Sequence, residues 1–188
     1  MNHSLKCLSV VAIICAGMLT LGNLDQATKD ALKVQHILKT IEQAPPRSDG
    51  KKMHAEVTEP ELNAYVAYRL KMEKNTAVKN LRIWLLEKNH VQGKLKMNAK
   101  QLGLDMLFGD LVVFDFKGIV HTKKGSGRLE LTALDLNGQV VGPQMVELVL
   151  KAVALYYGEE PIRPGDWQPL PKGIERIVVD RAKAVLIY

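Results

Sequence analysis

Residues 91–99 read VQGKLKMNA and carry the strongest structural signal in the chain. Val91, Leu95, Met97 and Ala99 fall on one face of an extended backbone, and Gln92, Lys94, Lys96 and Asn98 on the other. One face in a core and one in water is the habit of antiparallel sheets. Upstream, Leu81, Ile83 and Leu85 alternate with Trp84 and Leu86 through residues 80–87, so Asn89 and His90 turn a hairpin. Downstream, LVVFDFKGIVH (111–121) sets Val112, Phe114 and Phe116 on one side. The basic turn KKGSG leads into RLELTALDL (128–136), and Asn137-Gly138 favours another tight turn. Long strands joined by short turns leave no room for the crossover helices of a parallel sheet.

Helices flank this run of strands. Ala27, Ala31, Val34, Leu38 and Ile41 recur at spacings of three and four through residues 24–43, and Pro45-Pro46 end that pattern. Residues 53–57 make a short strand. Thr58 then opens a helix, with Glu61 completing a capping box and Pro60 in the first turn. A third helix starts at Pro143, lines up Val146, Val149, Leu150, Val153 and Tyr157, and stops at Gly158. Leu102 to Phe108 fits a strand or a short helix equally. A proline-rich loop with Trp167 as its anchor precedes a closing hairpin through Ile177, Val179, Val185 and Ile187. The predicted fold class is α+β, a strongly curved antiparallel sheet wrapped around one or two helices.

The chain has 188 residues and a net charge of +6, with 24% charged and 5% aromatic residues. That composition suits a folded domain, not a disordered one. Its first part departs from the average. After Lys6, residues 7–22 (CLSVVAIICAGMLTLG) carry no charge. A basic start before a short apolar run predicts a signal peptide over residues 1–22 or, if uncleaved, an N-terminal membrane anchor. Neither Cys7 nor Cys15 follows a small residue, so a lipobox is not expected, and cleavage after Gly22 removes both thiols. The domain plan is then residues 1–22 as leader, 23–52 as amphipathic helix and linker, and 53–188 as the α+β body. The expected location is exported: the periplasm or the outer face of the inner membrane.

Catalytic motifs are poorly supplied. His36, His54, His90 and His121 are dispersed, with no HExxH or other helical pair. Ser48 and Ser126 sit in turns, and no glycine-rich phosphate loop is present. Asp105 with Asp110 and Glu159 with Glu160 have no spacing that argues acid–base work. No catalytic residue, metal or cofactor is therefore predicted, and an enzyme would need a site assembled from scattered residues such as His90 and His121.

Thr58-Glu59-Pro60-Glu61-Leu62-Asn63 opening a helix, the strand at 91–99, and Leu170-Pro171-Lys172-Gly173-Ile174 before a hairpin resemble bacterial envelope lipid-binding domains. The resemblance is to the tubular-lipid-binding-like arrangement of a helix in a curled sheet, and it covers about residues 53–188. It implies non-enzymatic carriage of a lipid or glycolipid in an apolar cavity close to a membrane. Under that reading Met97, Phe114, Phe116, Val146, Val149, Leu150, Val153 and Tyr157 line an apolar groove, aided by adaptable methionines such as Met72, Met106 and Met145. Lys94, Lys96, Lys123, Lys124 and Arg128 meet the anionic headgroup or a membrane surface. Nucleic acid is not an expected partner of an exported chain. The alternative is a structural or adaptor protein of the envelope that works through protein contacts.

Overall fold

In the computed structural model, strand pairing divides the chain into two antiparallel sheets. The structure describes residues 25–45, 51–73, 77–158 and 165–188. The leader read in residues 1–22, the Ser48 turn and the Glu159–Glu160 pair lie outside the described residues. The small sheet has β1 (His54–Thr58) and β8 (Arg176–Asp180) on either side of β9 (Lys183–Ile187). The large sheet runs β2 (Val78–Leu85), β3 (His90–Asn98), β4 (Leu111–Lys123), β5 (Ser126–Leu136) and β6 (Gln139–Val140). A short β7 (Gln168–Pro169) pairs with the start of β5.

Both sheets are open, and neither is curled or closed. This corrects the expectation of one strongly curved sheet wrapped around helices, and it removes support for the tubular-lipid-binding-like resemblance. The physical reason lies at the edges. A sheet curls around a helix by adding strands or closing on itself, and here the edge of β2 is taken by a helix instead. Asn63, on α2 (Glu59–Met72), donates from Nδ2 to the Ile83 carbonyl at 2.7 Å and accepts at Oδ1 from the Ile83 N–H at 2.8 Å. The Glu59 carboxylate accepts from the Leu85 N–H at 2.8 Å. One helix thus satisfies backbone groups that a further strand would need.

The free edge of β8 is treated in the same way by the large sheet. Asn89 donates its N–H to the Val179 carbonyl and accepts at Oδ1 from the Val179 N–H. The Thr122 hydroxyl donates to the Ile177 carbonyl at 2.9 Å and accepts from the Ile177 N–H at 3.1 Å. Two residues, Asn89 through backbone and side chain and Thr122 through its hydroxyl, therefore stand where a strand would, and the sheets are stitched together without merging.

The motif TEPELN is accounted for by these bonds. Thr58 caps α2, and Glu61 returns to accept from the Thr58 N–H at 2.8 Å. Buried Glu61 also pairs with Lys33 of α1 (Gln26–Gln43). α1 packs on the body: Val34 and Ile41 share a cluster with Val57, Tyr65, Ile174 and Leu186. In LPKGI, Gly173 has φ +89°, and a Cβ there would lie 2.7 Å from the Ile41 carbonyl oxygen. The segment is glycine-dependent because the end of α1 rests on its backbone.

The main core lies on the inner face of the large sheet. Met97, Val112, Phe114 and Leu136 pack there beneath Val149 of α4 (Pro143–Tyr157). The stretch Leu102–Phe108, open between strand and helix in the sequence, forms a 3-10 turn and the short α3 (Asp105–Phe108). Leu102 and Leu104 are buried while Phe108 packs partly against the core. Leu104 to Phe108 is one helical turn, closed by the Phe108 N–H donating to the Leu104 carbonyl.

Candidate anion-binding interface

Register sorts the named side chains onto two faces of the large sheet, because directly opposed residues of an antiparallel pair share a face. Met97 opposes Val112 and Leu95 opposes Phe114 on the inner face. Gly93 opposes Phe116 so closely that a Cβ would sit 2.1 Å from its ring. Lys94 opposes Asp115, Lys96 opposes Val113, and Arg128 opposes His121 on the outer face.

The acyl-chain set is thus on the covered side. Met97 is 2% exposed, Val149 5% and Phe114 6%, and they fill one another's space in a single cluster with Val153 packed against it. Val146, Leu150, Phe116 and Tyr157 are half-buried, and Tyr157 meets Tyr156 edge to face. Met145 packs partly against the same cluster, whereas Met72 and Met106 are exposed. The headgroup set is on the opposite, open side. The two sets stand on opposite faces of the sheet.

Within the open side the five cations divide. Lys94 is held by Asp115 at 3.2 Å. Lys96 is exposed near the far end of β3. Lys123, Lys124 and Arg128 converge at the β4–β5 hairpin, where β7 brings in Trp167. The Lys123 ammonium stands 4.3 Å from the Trp167 ring centroid and the Arg128 guanidinium 5.1 Å. Each such contact is worth about 0.5–1 kcal/mol at an exposed site. Together they hold two cations side by side on one ring. The Arg128 Nε is shielded from water and has no hydrogen-bond partner among the described residues. Glu130 is the nearby counter-charge, 2.8 Å from His121 Nε2 and 3.9 Å from Arg128. An open depression of about 420 Å³ adjoins the hairpin, lined by Lys124, Gly125, Gly173, Ile174 and Glu175.

Sequence reading missed two contributors to this face. Arg82 stacks on Trp84 at 5.2 Å, opposite Lys94 and Gln92 on β3. Lys117 opposes Gln92 from the other side. Their signal was alternation: Arg82 lies between Leu81 and Ile83, and Lys117 follows Phe116. Trp167 was read as a loop anchor, and its cationic partners lie far away in sequence.

Outside this face, His36, His54 and His90 are exposed; among the described histidines His121 alone forms an ion pair with a carboxylate. Among the described residues no group of His, Cys, Asp and Glu is placed to hold a metal ion. No helix of the described residues is long and apolar enough to cross a membrane. Comparison with protein-family models, with curated proteins and with solved structures finds no match.

Proposed function

We propose that the protein is an exported, non-catalytic envelope protein that holds anionic amphiphiles by their headgroups, on the outer face of the large sheet. The observation that carries this reading is the convergence of Lys123 and Arg128 on the Trp167 ring, with Lys124 in the adjoining turn, on an open face that also bears Arg82, Lys96 and Lys117. Packed phosphate headgroups supply negative charge over such a width. Each exposed cation near an anionic lipid surface contributes roughly 1 kcal/mol, and salt screens the attraction. Met97, Phe114 and Val149 pack beneath this face as support for the sheet.

The test compares binding to phosphatidylglycerol-containing and pure phosphatidylcholine vesicles at increasing salt. Preference for the anionic vesicles, lost as salt rises, is the expected result. Lys123→Glu with Arg128→Glu reduces that preference by more than tenfold, while Lys94→Asp with Asp115→Lys, which inverts an ion pair and keeps its net charge, changes it little. Inorganic phosphate added at constant ionic strength separates two sources of the same chemistry. Displacement points to recognition of the phosphate group itself, and none points to a charged surface. Equal binding to both vesicle types, or charge reversal without effect, overturns the reading.

A further inference from the structure

The end of the large sheet opposite the basic hairpin carries an apolar tip. Met106 is 96% exposed, Leu107 64% and Leu111 44%. They do not serve the core, whose contacts come from their neighbours Leu104 and Phe108. Gly103 and Gly109, both in the left-handed region at φ +68° and +71°, bracket the turn that presents them. Consecutive exposed Met and Leu at the extremity of a domain lose apolar area to any nonaqueous phase that meets them, at about 1.5–3 kcal/mol for each side chain fully buried.

The path of the chain says which phase that is. Lys33 in the middle of α1 pairs with Glu61 near the start of α2, and Ile41, near the end of α1, shares a cluster with Val57, which lies just ahead of α2. The two helices are therefore antiparallel. α2 runs toward the start of β2, where Val78 opposes Met97. Met97 is next to Asn98, which opposes Leu111. The chain thus enters the body at the end of the molecule that bears the tip. What precedes Asp25 by two residues is the uncharged segment 7–22. Exposed Lys71, Lys79, Lys96 and Lys100 stand at this same end, with Asp105 and Asp110 among them.

We infer that this tip seats on a lipid bilayer, with Met106, Leu107 and Leu111 entering the interface at the end of the molecule where α1 begins. The 13 residues of β4 then carry the basic hairpin roughly 40 Å from that surface. The inference stands on apolar exposure and chain path, and does not depend on the anion-binding reading.

The test uses the full chain in phosphatidylcholine vesicles, where the headgroups carry no net charge. With Cys7→Ser and Cys15→Ser removing the native thiols, Leu107→Cys or, as the opposite-end control, Lys124→Cys carries an environment-sensitive fluorophore. The probe at position 107 is expected to shift to the blue on vesicle addition and to lose at least half its emission to a lipid-borne quencher. The probe at position 124 is expected to do neither. A probe at 107 that stays in water while the protein is vesicle-bound overturns the inference. So does a blue shift that depends on protein concentration without vesicles, which assigns the tip to a second copy of the chain. Lys123→Glu with Arg128→Glu leaves the response at 107 intact, so failure of the anion-binding reading is distinguishable.

Discussion

Asn63 is a polar residue whose amide group is turned onto a strand edge. Its amide group matches the donor and acceptor of Ile83 as a neighbouring peptide unit would, and it also donates to the Glu59 carbonyl at 3.0 Å. Asn63→Ala leaves the Ile83 N–H and carbonyl without these partners, at an expected cost of about 1–3 kcal/mol. A urea titration that finds no loss would show that water replaces the amide at no cost. Glu61 adds a pH-dependent contribution. Burial pushes its carboxyl up, but the Lys33 ammonium and the Thr58 donors together pull it below the ordinary glutamate range. A depressed folded value means that the stabilisation is complete above the unfolded value of about 4.3 and is lost as pH falls through the lower folded one. The urea midpoint of Glu61→Gln is therefore expected to fall less steeply below about pH 4.3 than that of the parent chain. Parallel acid limbs would assign the acid sensitivity to other carboxylates.

α1 was legible as an amphipathic helix from its spacing, and its role follows from where it docks. Its apolar stripe closes one side of the cluster around Tyr65 and Leu186, and its C-terminal turn lies on Gly173. Gly173→Ala strains a left-handed backbone and drives a Cβ against the Ile41 carbonyl, so a loss of more than about 1 kcal/mol is expected. Amide exchange would quicken across α1 while the strands of the large sheet keep their protection; a uniform change across the chain would contradict this local account. α4 shows the other side of legibility. Its stripe of Val146, Val149, Leu150 and Val153 was readable, but the same stripe serves a ligand groove or a packed core. Only the partners, Met97, Val112, Phe114 and Leu136, distinguish the two.

Across the whole molecule, the two faces of the large sheet separate the apolar set from the cationic set, and its two ends separate the basic hairpin from the apolar tip. Alternation through VQGKLKMNA and its neighbours was enough to give strands, faces and α+β class, because side-chain direction reverses at each residue whatever the strand pairs with. Most cations of the open face were legible for the same reason. Pairing was not. The match of β1 with β9 spans most of the chain, and local periodicity carries no term for it. Nor does it reveal that Asn63, Asn89 and Thr122 occupy strand edges, which is what keeps the sheets open and separate. The convergence of Lys123, Arg128 and Trp167, and the packing of α1 against α2, are likewise long-range outcomes. Local steric and hydrophobic rules write the elements into the sequence, whereas edges, neighbours and ends exist only once the elements have packed.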